Sequence, residues 1–263
     1  MINVDSLSMA YEKNIILREL SFSVEQGTIT TIIGPNGCGK TTLLRALARS
    51  KKPLSGRVTY CGRDITRIDS RTLAREMAIL PQNLRAPDDF TVRDLVGTGR
   101  FPDHGLFGGM KEPDYRAIDE ALEAVGMTDF AHRRVSTLSG GERQRGWIAM
   151  CLAQQPKVLL LDEPTTFLDI CYQYEVLRLI RTMNRDLGLT IVMILHDLNQ
   201  AARFSDRILA LHDGALVCDG TPREVLTADM LQTVFSIRGL VTDDPVNRCP
   251  MVIPCDEPLA QER

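Results

Sequence analysis

The chain has 263 residues, of which 44% are hydrophobic and 25% charged, and its formal net charge is −3. That is enough chain to bury a substantial core, with the composition of an ordinary globular protein. The slightly acidic balance counts against a general nucleic-acid binder, whose surface carries a surplus of Lys and Arg.

The seven cysteines are Cys38, Cys61, Cys151, Cys171, Cys218, Cys249 and Cys255. They are odd in number and scattered, with no CxxC spacing, so reduced thiols are expected rather than a zinc or redox site. The opening MINVDSLSMAYEKN lacks a basic start followed by an apolar core, so no signal peptide is read there. The longest apolar runs, such as TIVMIL, are far too short to cross a bilayer.

In chain order, residues 1 to 27 together with RVTY (57–60) read as short strands with polar alternation, an antiparallel sheet beside a main one. TITTII (28–33), VLLL (158–161), TIVMIL (190–195) and ILAL (208–211) read as strands buried on both faces. Residues 88 to 150 carry little strand signal and read as a helical insertion. One of its helices is YRAIDEALEAVG, with Ile118, Leu122 and Val125 on one face and Gly126 at its end. In QYEVLRLIRTMNRDLG, Val176, Ile180, Met183 and Leu187 recur at i, i+4, i+7 and i+11, and Gly188 is a C-terminal stop. Strands alternating with helices predict a parallel sheet covered on both sides. The stretch DDPVNRCPMVIPCDEP predicts a small terminal hairpin before a frayed end.

Four motifs carry chemistry. GPNGCGKT (34–41) fits G-x-x-x-x-G-K-[ST] and lies between a strand and the helix-like TTLLRALAR. Gly34, Gly37 and Gly39 let the backbone turn its N–H groups toward phosphate. Lys40 reaches the terminal phosphates, and the Thr41 hydroxyl suits Mg²⁺. VLLLDEP ends a buried strand in Asp162 and Glu163, one able to hold Mg²⁺ and the other to polarise an attacking water. His196 follows TIVMIL at another strand end, where ligands of parallel sheets gather. LSGGERQR (138–145) offers a second backbone shaped for an anion at a helix start. Gln82, after another apolar stretch, is placed to reach Mg²⁺ or the attacking water, and Tyr11 to stack on adenine. By local pattern alone each reads equally well as an ordinary residue. Together the set describes a Mg-ATP hydrolase, since phosphoryl transfer needs positioning and charge neutralisation above all.

With these pieces in this order the sequence resembles the nucleotide-binding subunits of ATP-binding cassette (ABC) transporters, over nearly its whole length. LSGGE, immediately upstream of the DEP strand, is the most specific element. The resemblance implies an α/β fold: a P-loop NTPase (RecA-like) parallel-sheet core with an antiparallel β subdomain and an inserted α-helical subdomain. It implies that residues 1–240 form the ATPase domain, with the helical part about 88–150, and residues 241–263 a hairpin and tail.

It further implies that ATP contacts Gly34, Pro35, Asn36, Gly37, Cys38, Gly39, Lys40, Thr41 and Thr42. Tyr11 is then the adenine-stacking aromatic, Glu163 the catalytic base, and His196 the switch near the γ-phosphate. Thr41, Gln82 and Asp162 associate with Mg²⁺, and the loop of Gln82 contacts the membrane partner. Asp169 sits in a loop that crosses a dimer interface, Ser139 and the Gly140 and Gly141 amides bind the γ-phosphate of the opposite copy, and Glu142 belongs to the same nucleotide-binding stretch. Glu142 stands where glutamine is also usual, and Thr41 replaces the more frequent serine; both keep the needed chemistry.

Finer phrases, TVRDLVGTGRFP, ERQRGWIAM, DEPTTFLDI, ILHDLNQAARFSD and DDPVNRCPMVIP, resemble bacterial importers of iron complexes. These imply a ferric siderophore as cargo, with haem or cobalamin as alternatives. The implied partners are a second copy, an integral permease near Gln82 and GRFPDHGLFGG, and, indirectly, a periplasmic or lipoprotein binding protein. Nucleic acid is not among them. The implied location is peripheral, on the cytoplasmic face of the bacterial inner membrane. A soluble cassette of translation or repair is the competing class; those carry two cassettes per chain or long coiled coils, and no sustained heptads occur here. An exporter subunit fits the siderophore-like phrases less well.

Overall fold

The computed structural model describes residues 1–12, 14–82, 85–104 and 109–255. The tail beyond 255, where a frayed end is expected, and residues 105–108 within GRFPDHGLFGG lie outside the described residues. The chain divides into two compact units, Met1–Thr66 with Val192–Arg263, and Arg67–Ile191.

The first unit opens with β1 (Ile2–Tyr11) and β2 (Asn14–Val24), an antiparallel pair. The sequence suggests several short strands here, and the structure has two long ones. The reason is a change of phase within each. In β1 the buried apolar positions are Ile2 and Val4 before Ser6, and Leu7 and Met9 after it. Ser6 takes φ 47°, and the pairing register shifts between Val4 and Leu7. One extra residue at a bulge moves every later side chain to the other face. Glu19, at φ 48°, does the same in β2, where Leu17 gives way to Leu20, Phe22 and Val24 as the inward set.

β3 (Ile29–Ile33) follows, buried along its whole length, and leads through residues 34–39 into α1 (Lys40–Leu47). β4 (Ser55–Tyr60) and β5 (Arg63–Asp64) complete an antiparallel sheet in the order β2-β1-β4-β5.

The second unit contains α2 (Ser70–Glu76), β6 (Met77–Leu80), α3 (Val92–Gly97), α4 (Phe101–His104), α5 (Glu112–Ala124), α6 (Gly140–Ala153), β7 (Val158–Leu161) and α7 (Ile170–Leu187). β6 and β7 pair in parallel, Met77 opposite Val158 through Leu80 opposite Leu161. All four residues of β7 are buried, as a strand covered on both faces requires. α5 starts three residues earlier than its apolar face alone indicates, because Asp114 in its first turn accepts from the Lys111 N–H at 2.7 Å and Pro113 favours a helix start. Ala117, Ile118, Ala121 and Leu122 form its buried face, each large side chain contributing about 1.5–3 kcal/mol. Arg100, also buried, donates from Nε to Asp114 Oδ1 at 3.0 Å and from Nη1 to Ala153 O at 2.7 Å. This fixes the start of α5 against the end of α6.

β8 (Thr190–Ile194) carries the chain back into the first unit. There follow α8 (Leu198–Phe204), β9 (Arg207–His212), β10 (Ala215–Gly220), α9 (Pro222–Val225), α10 (Ala228–Phe235), β11 (Gly239–Asp243) and β12 (Pro250–Pro254). β9 lies parallel to β3, Thr30 opposite Arg207 through Ile33 opposite Ala210. Just past β8, the Leu195 N–H donates to Ile32 O at 3.4 Å, so that strand end is held beside β3. β10 adds an antiparallel edge, and β11 and β12 form a separate antiparallel hairpin. Among the described residues no helix is long and apolar enough to cross a membrane.

Candidate nucleotide site

The phosphate loop lies in the first unit, between β3 and α1. Gly34 has φ 147°, and a Cβ there would run into the carbonyl oxygen of Leu211, so the first glycine of the motif is sterically required. Gly37 and Asn36 are exposed at the loop crest, whereas Cys38 is buried. Burial pushes the Cys38 thiol above its ordinary pKa, so it stays protonated and inert. Lys40 is only 6% exposed, and its ammonium donates to Gly34 O at 2.7 Å and Pro35 O at 2.9 Å. A buried cation folded onto its own loop's carbonyls is charge held ready for an anion, because carbonyl dipoles neutralise it only in part. Thr41 and Thr42 occupy the first turn of α1, whose N-terminal amides also favour an anion.

Tyr11, the last residue of β1, is 38% exposed. Its hydroxyl accepts from Arg45 Nη1 at 3.3 Å, which draws the phenol pKa below its usual value. The Lys51 ammonium lies 2.8 Å from its ring centroid, so a cation covers one face of the ring. Lys51 and Arg45 escape a motif search because neither belongs to a recognisable spacing. His196, also in the first unit, directly follows Leu195 and is exposed. Asp197 then caps α8 by accepting from Gln200 N at 2.8 Å.

The other candidates lie in the second unit. Asp162 is buried, and its N–H donates to Leu80 O at 2.9 Å, extending the β6–β7 pairing to the strand's end. Glu163 turns out of the strand at φ 55°. Gln82 Nε2 donates to Glu163 Oε2 at 2.6 Å, and Thr166 Oγ1 donates to the same oxygen at 3.0 Å. The structure thus brings Gln82 to Glu163, and it adds Thr166. The only sequence signal for Thr166 is a hydroxyl residue one turn past the acid.

Ser139 is the N-cap of α6. Its hydroxyl accepts from Glu142 N at 3.3 Å, and its own N–H donates to Glu142 Oε2 at 2.8 Å. That backbone donor holds the Glu142 carboxyl below the ordinary carboxylate range. Glu142 therefore shapes the helix start, leaving Ser139 and Gly140 exposed. Gly141 is required by close approach: a Cβ there would sit 2.5 Å from Tyr172 Cδ1. Asp169 caps α7, accepting from Tyr172 N at 3.2 Å.

The residues fit a magnesium triphosphate. The loop offers amides and a buried ammonium to phosphate, and beside them the Thr41 hydroxyl is a hard oxygen donor, the type that Mg²⁺ takes.

The family model for ABC transporters matches residues 17–166. The chain is 43% identical over 250 residues to the ferric enterobactin transport ATP-binding protein FepC of Escherichia coli (strain K12), covering 95% of this chain and 92% of that one. It is 44% identical over 255 residues to the iron(3+)-hydroxamate import ATP-binding protein FhuC of Bacillus subtilis (strain 168), covering 97% and 95%. In fold it is similar to MJ0796, a bacterial ABC transporter cassette solved as a dimer, with TM-score 0.73 and 27% identity, covering 85% of this chain and 99% of that one. The chain belongs to the ABC transporter family, as one of its ATP-hydrolysing nucleotide-binding subunits.

Proposed function

We propose that this ATPase powers import of a ferric chelate, bound beneath a permease at the cytoplasmic face of the cell membrane. The observation that carries the reading is near full-length similarity to two ATP-binding proteins named for ferric-chelate transport. The permease and its external binding protein choose the cargo, and this chain supplies the energy.

Two copies would pair head to tail, each placing Ser139, Gly140 and Gly141 on the triphosphate held by the other's phosphate loop. This gives the second glycine-rich anion grip of the sequence a use, and the dimeric MJ0796 cassette supports it. Within each site Lys40 neutralises charge on the terminal phosphates, and the α1 amides orient them. Tyr11, half-exposed at the end of β1, would stack on adenine. Thr41 and Asp162 would hold Mg²⁺, which screens phosphate charge, and Gln82 borders it. Glu163 takes the proton of the attacking water. Its carboxylate is kept in one orientation by Gln82 and Thr166. His196 contacts the γ-phosphate end, and Asp169 lies at the contact between copies.

The test is uptake of a radiolabelled ferric siderophore into proteoliposomes holding an iron-chelate permease and its binding protein. ATP-driven uptake that requires this chain and stops with Glu163→Gln is expected. A chain that hydrolyses ATP but is washed from such membranes and drives no uptake contradicts the transport role.

A further inference from the structure

The hairpin of β11 and β12 has no part in the nucleotide site described above, yet it is bound to the helix that follows His196. Asn199, in the first turn of α8, meets the backbone of Val252 in β12 twice. Its Nδ2 donates to Val252 O at 3.2 Å, and Val252 N–H donates to its Oδ1 at 2.7 Å. Val252 is buried and lies opposite Val241 of β11. The N–H and C=O of one residue in an antiparallel pair point the same way, so these two face away from the hairpin ladder. The Asn199 carboxamide stands in for a neighbouring strand, on an edge where unpaired backbone groups would be costly.

The hairpin is itself anchored. Arg223 of α9 pairs with Asp243 at 2.7 Å and donates to Arg248 O at 2.9 Å. Asp244 Oδ1 accepts from the N–H groups of Val246 and Asn247 and closes the turn.

The two ends of α8 are held differently. Its far end is tied to β3: Ser205 and Thr31 share a hydroxyl hydrogen bond, and Ile29 N–H donates to Asp206 Oδ2 at 2.8 Å. Ala201, Ala202 and Phe204 are buried there as well. The near end starts at the Asp197 cap and carries Asn199 within one turn of the exposed His196. A tilt of that first turn carries His196 with it.

We infer that Asn199 is a positioning residue: by clasping β12 it fixes the first turn of α8 and, through it, the placement of His196. The inference rests on the reading of His196 at the γ-phosphate end and deepens it. The terminal hairpin then serves as a brace for the loop that carries His196. A misplacement of about 1 Å at a reacting centre costs up to ~10²-fold in rate. Losing the clasp frees the turn but takes no group off the nucleotide, so turnover falls while ATP binding does not.

The test is a double-mutant cycle on the full chain, read as kcat and KM for magnesium ATP. Asn199→Ala should lower kcat about tenfold with KM unchanged. Added to His196→Ala it should change kcat by less than about twofold, because the group it positions is gone. Asn199→Gln, which keeps both amide groups on a longer stem, should recover most of the rate. A loss by the same factor in both backgrounds marks a general loosening of the fold and overturns the inference, as does an unchanged kcat in Asn199→Ala alone. Full kcat in His196→Ala overturns the reading of His196 as well. Val252→Pro reaches the clasp from the hairpin side, deleting the N–H that donates to Asn199 and none that β11 uses, as a strand edge tolerates. It should reproduce the kcat loss and runs through the same cycle should alanine at 199 prevent folding; wild-type turnover in it counts against the clasp.

Discussion

Gln82 and Glu163, 81 positions apart in sequence, are joined by a 2.6 Å hydrogen bond from the Gln82 amide to Oε2 of the acid. Thr166 donates to the same oxygen, so the carboxylate is oriented from two sides. Glu163→Gln should lower kcat by about 10²-fold or more, the usual contribution of a positioned base, with ATP still bound. Thr166→Val, which keeps shape and loses the hydroxyl, should lower kcat by roughly tenfold, the equivalent of one net hydrogen bond, with KM unchanged. Steady-state kinetics on both variants separates them; a raised KM with normal kcat in Thr166→Val would assign that hydroxyl to binding instead.

Lys40 illustrates a different dependence. Its ammonium rests on two backbone carbonyls, Gly34 O and Pro35 O. Lys40→Ala should therefore weaken ATP binding about ten- to hundredfold, the equivalent of a lost charge-assisted contact. Titration with a fluorescent ATP analogue reads this directly.

Two glycines of α6 should respond in opposite ways to alanine. At Gly141 the new methyl meets Tyr172 Cδ1 at 2.5 Å and Cγ at 2.8 Å, and the ring lies too close to admit it. Gly141→Ala should cost about 1–3 kcal/mol, as overpacking does, and should also impair hydrolysis. At Gly146 the nearest atoms are Leu95 Cδ2 at 3.8 Å and Val92 Cγ1 at 3.9 Å, ordinary contact distances. Gly146→Ala should gain up to ~1 kcal/mol of helix propensity. Thermal melts of the pair test the packing around the signature helix.

The same helix gives a pH prediction. The Ser139 N–H depresses the Glu142 carboxyl below its usual value of 4.5. A carboxylate depressed in the folded chain stabilises it above the unfolded value, and that contribution is lost as pH falls through the folded one. Acidifying the wild type below that ordinary value should lower Tm more steeply than in Glu142→Gln, which keeps an uncharged acceptor. Parallel slopes for the two proteins would remove the cap from the account.

Much of this site was legible in the sequence because its motifs are contiguous. A phosphate loop is eight neighbouring residues, and the run VLLLDE announces both a buried strand and its acidic end. The paired bulges were not legible. Ser6 and Glu19 look like breaks between strands, and only pairing shows that each strand continues in the opposite phase. The hold of Gln82 on Glu163 was invisible for a related reason, since tertiary packing alone brings β6 and β7 side by side. Lys51 on the Tyr11 face depends on side-chain direction, which residue type does not encode.

The central claim is that each catalytic site needs two copies, and the dependence of ATPase rate on protein concentration tests it most directly. At saturating magnesium ATP, the rate per chain should fall as the protein is diluted and the pairs dissociate. Gly140→Asp, which sets a carboxylate beside Ser139, should stay inactive at every concentration. A rate per chain that holds constant on dilution until only the 29.4 kDa species remains would contradict the account.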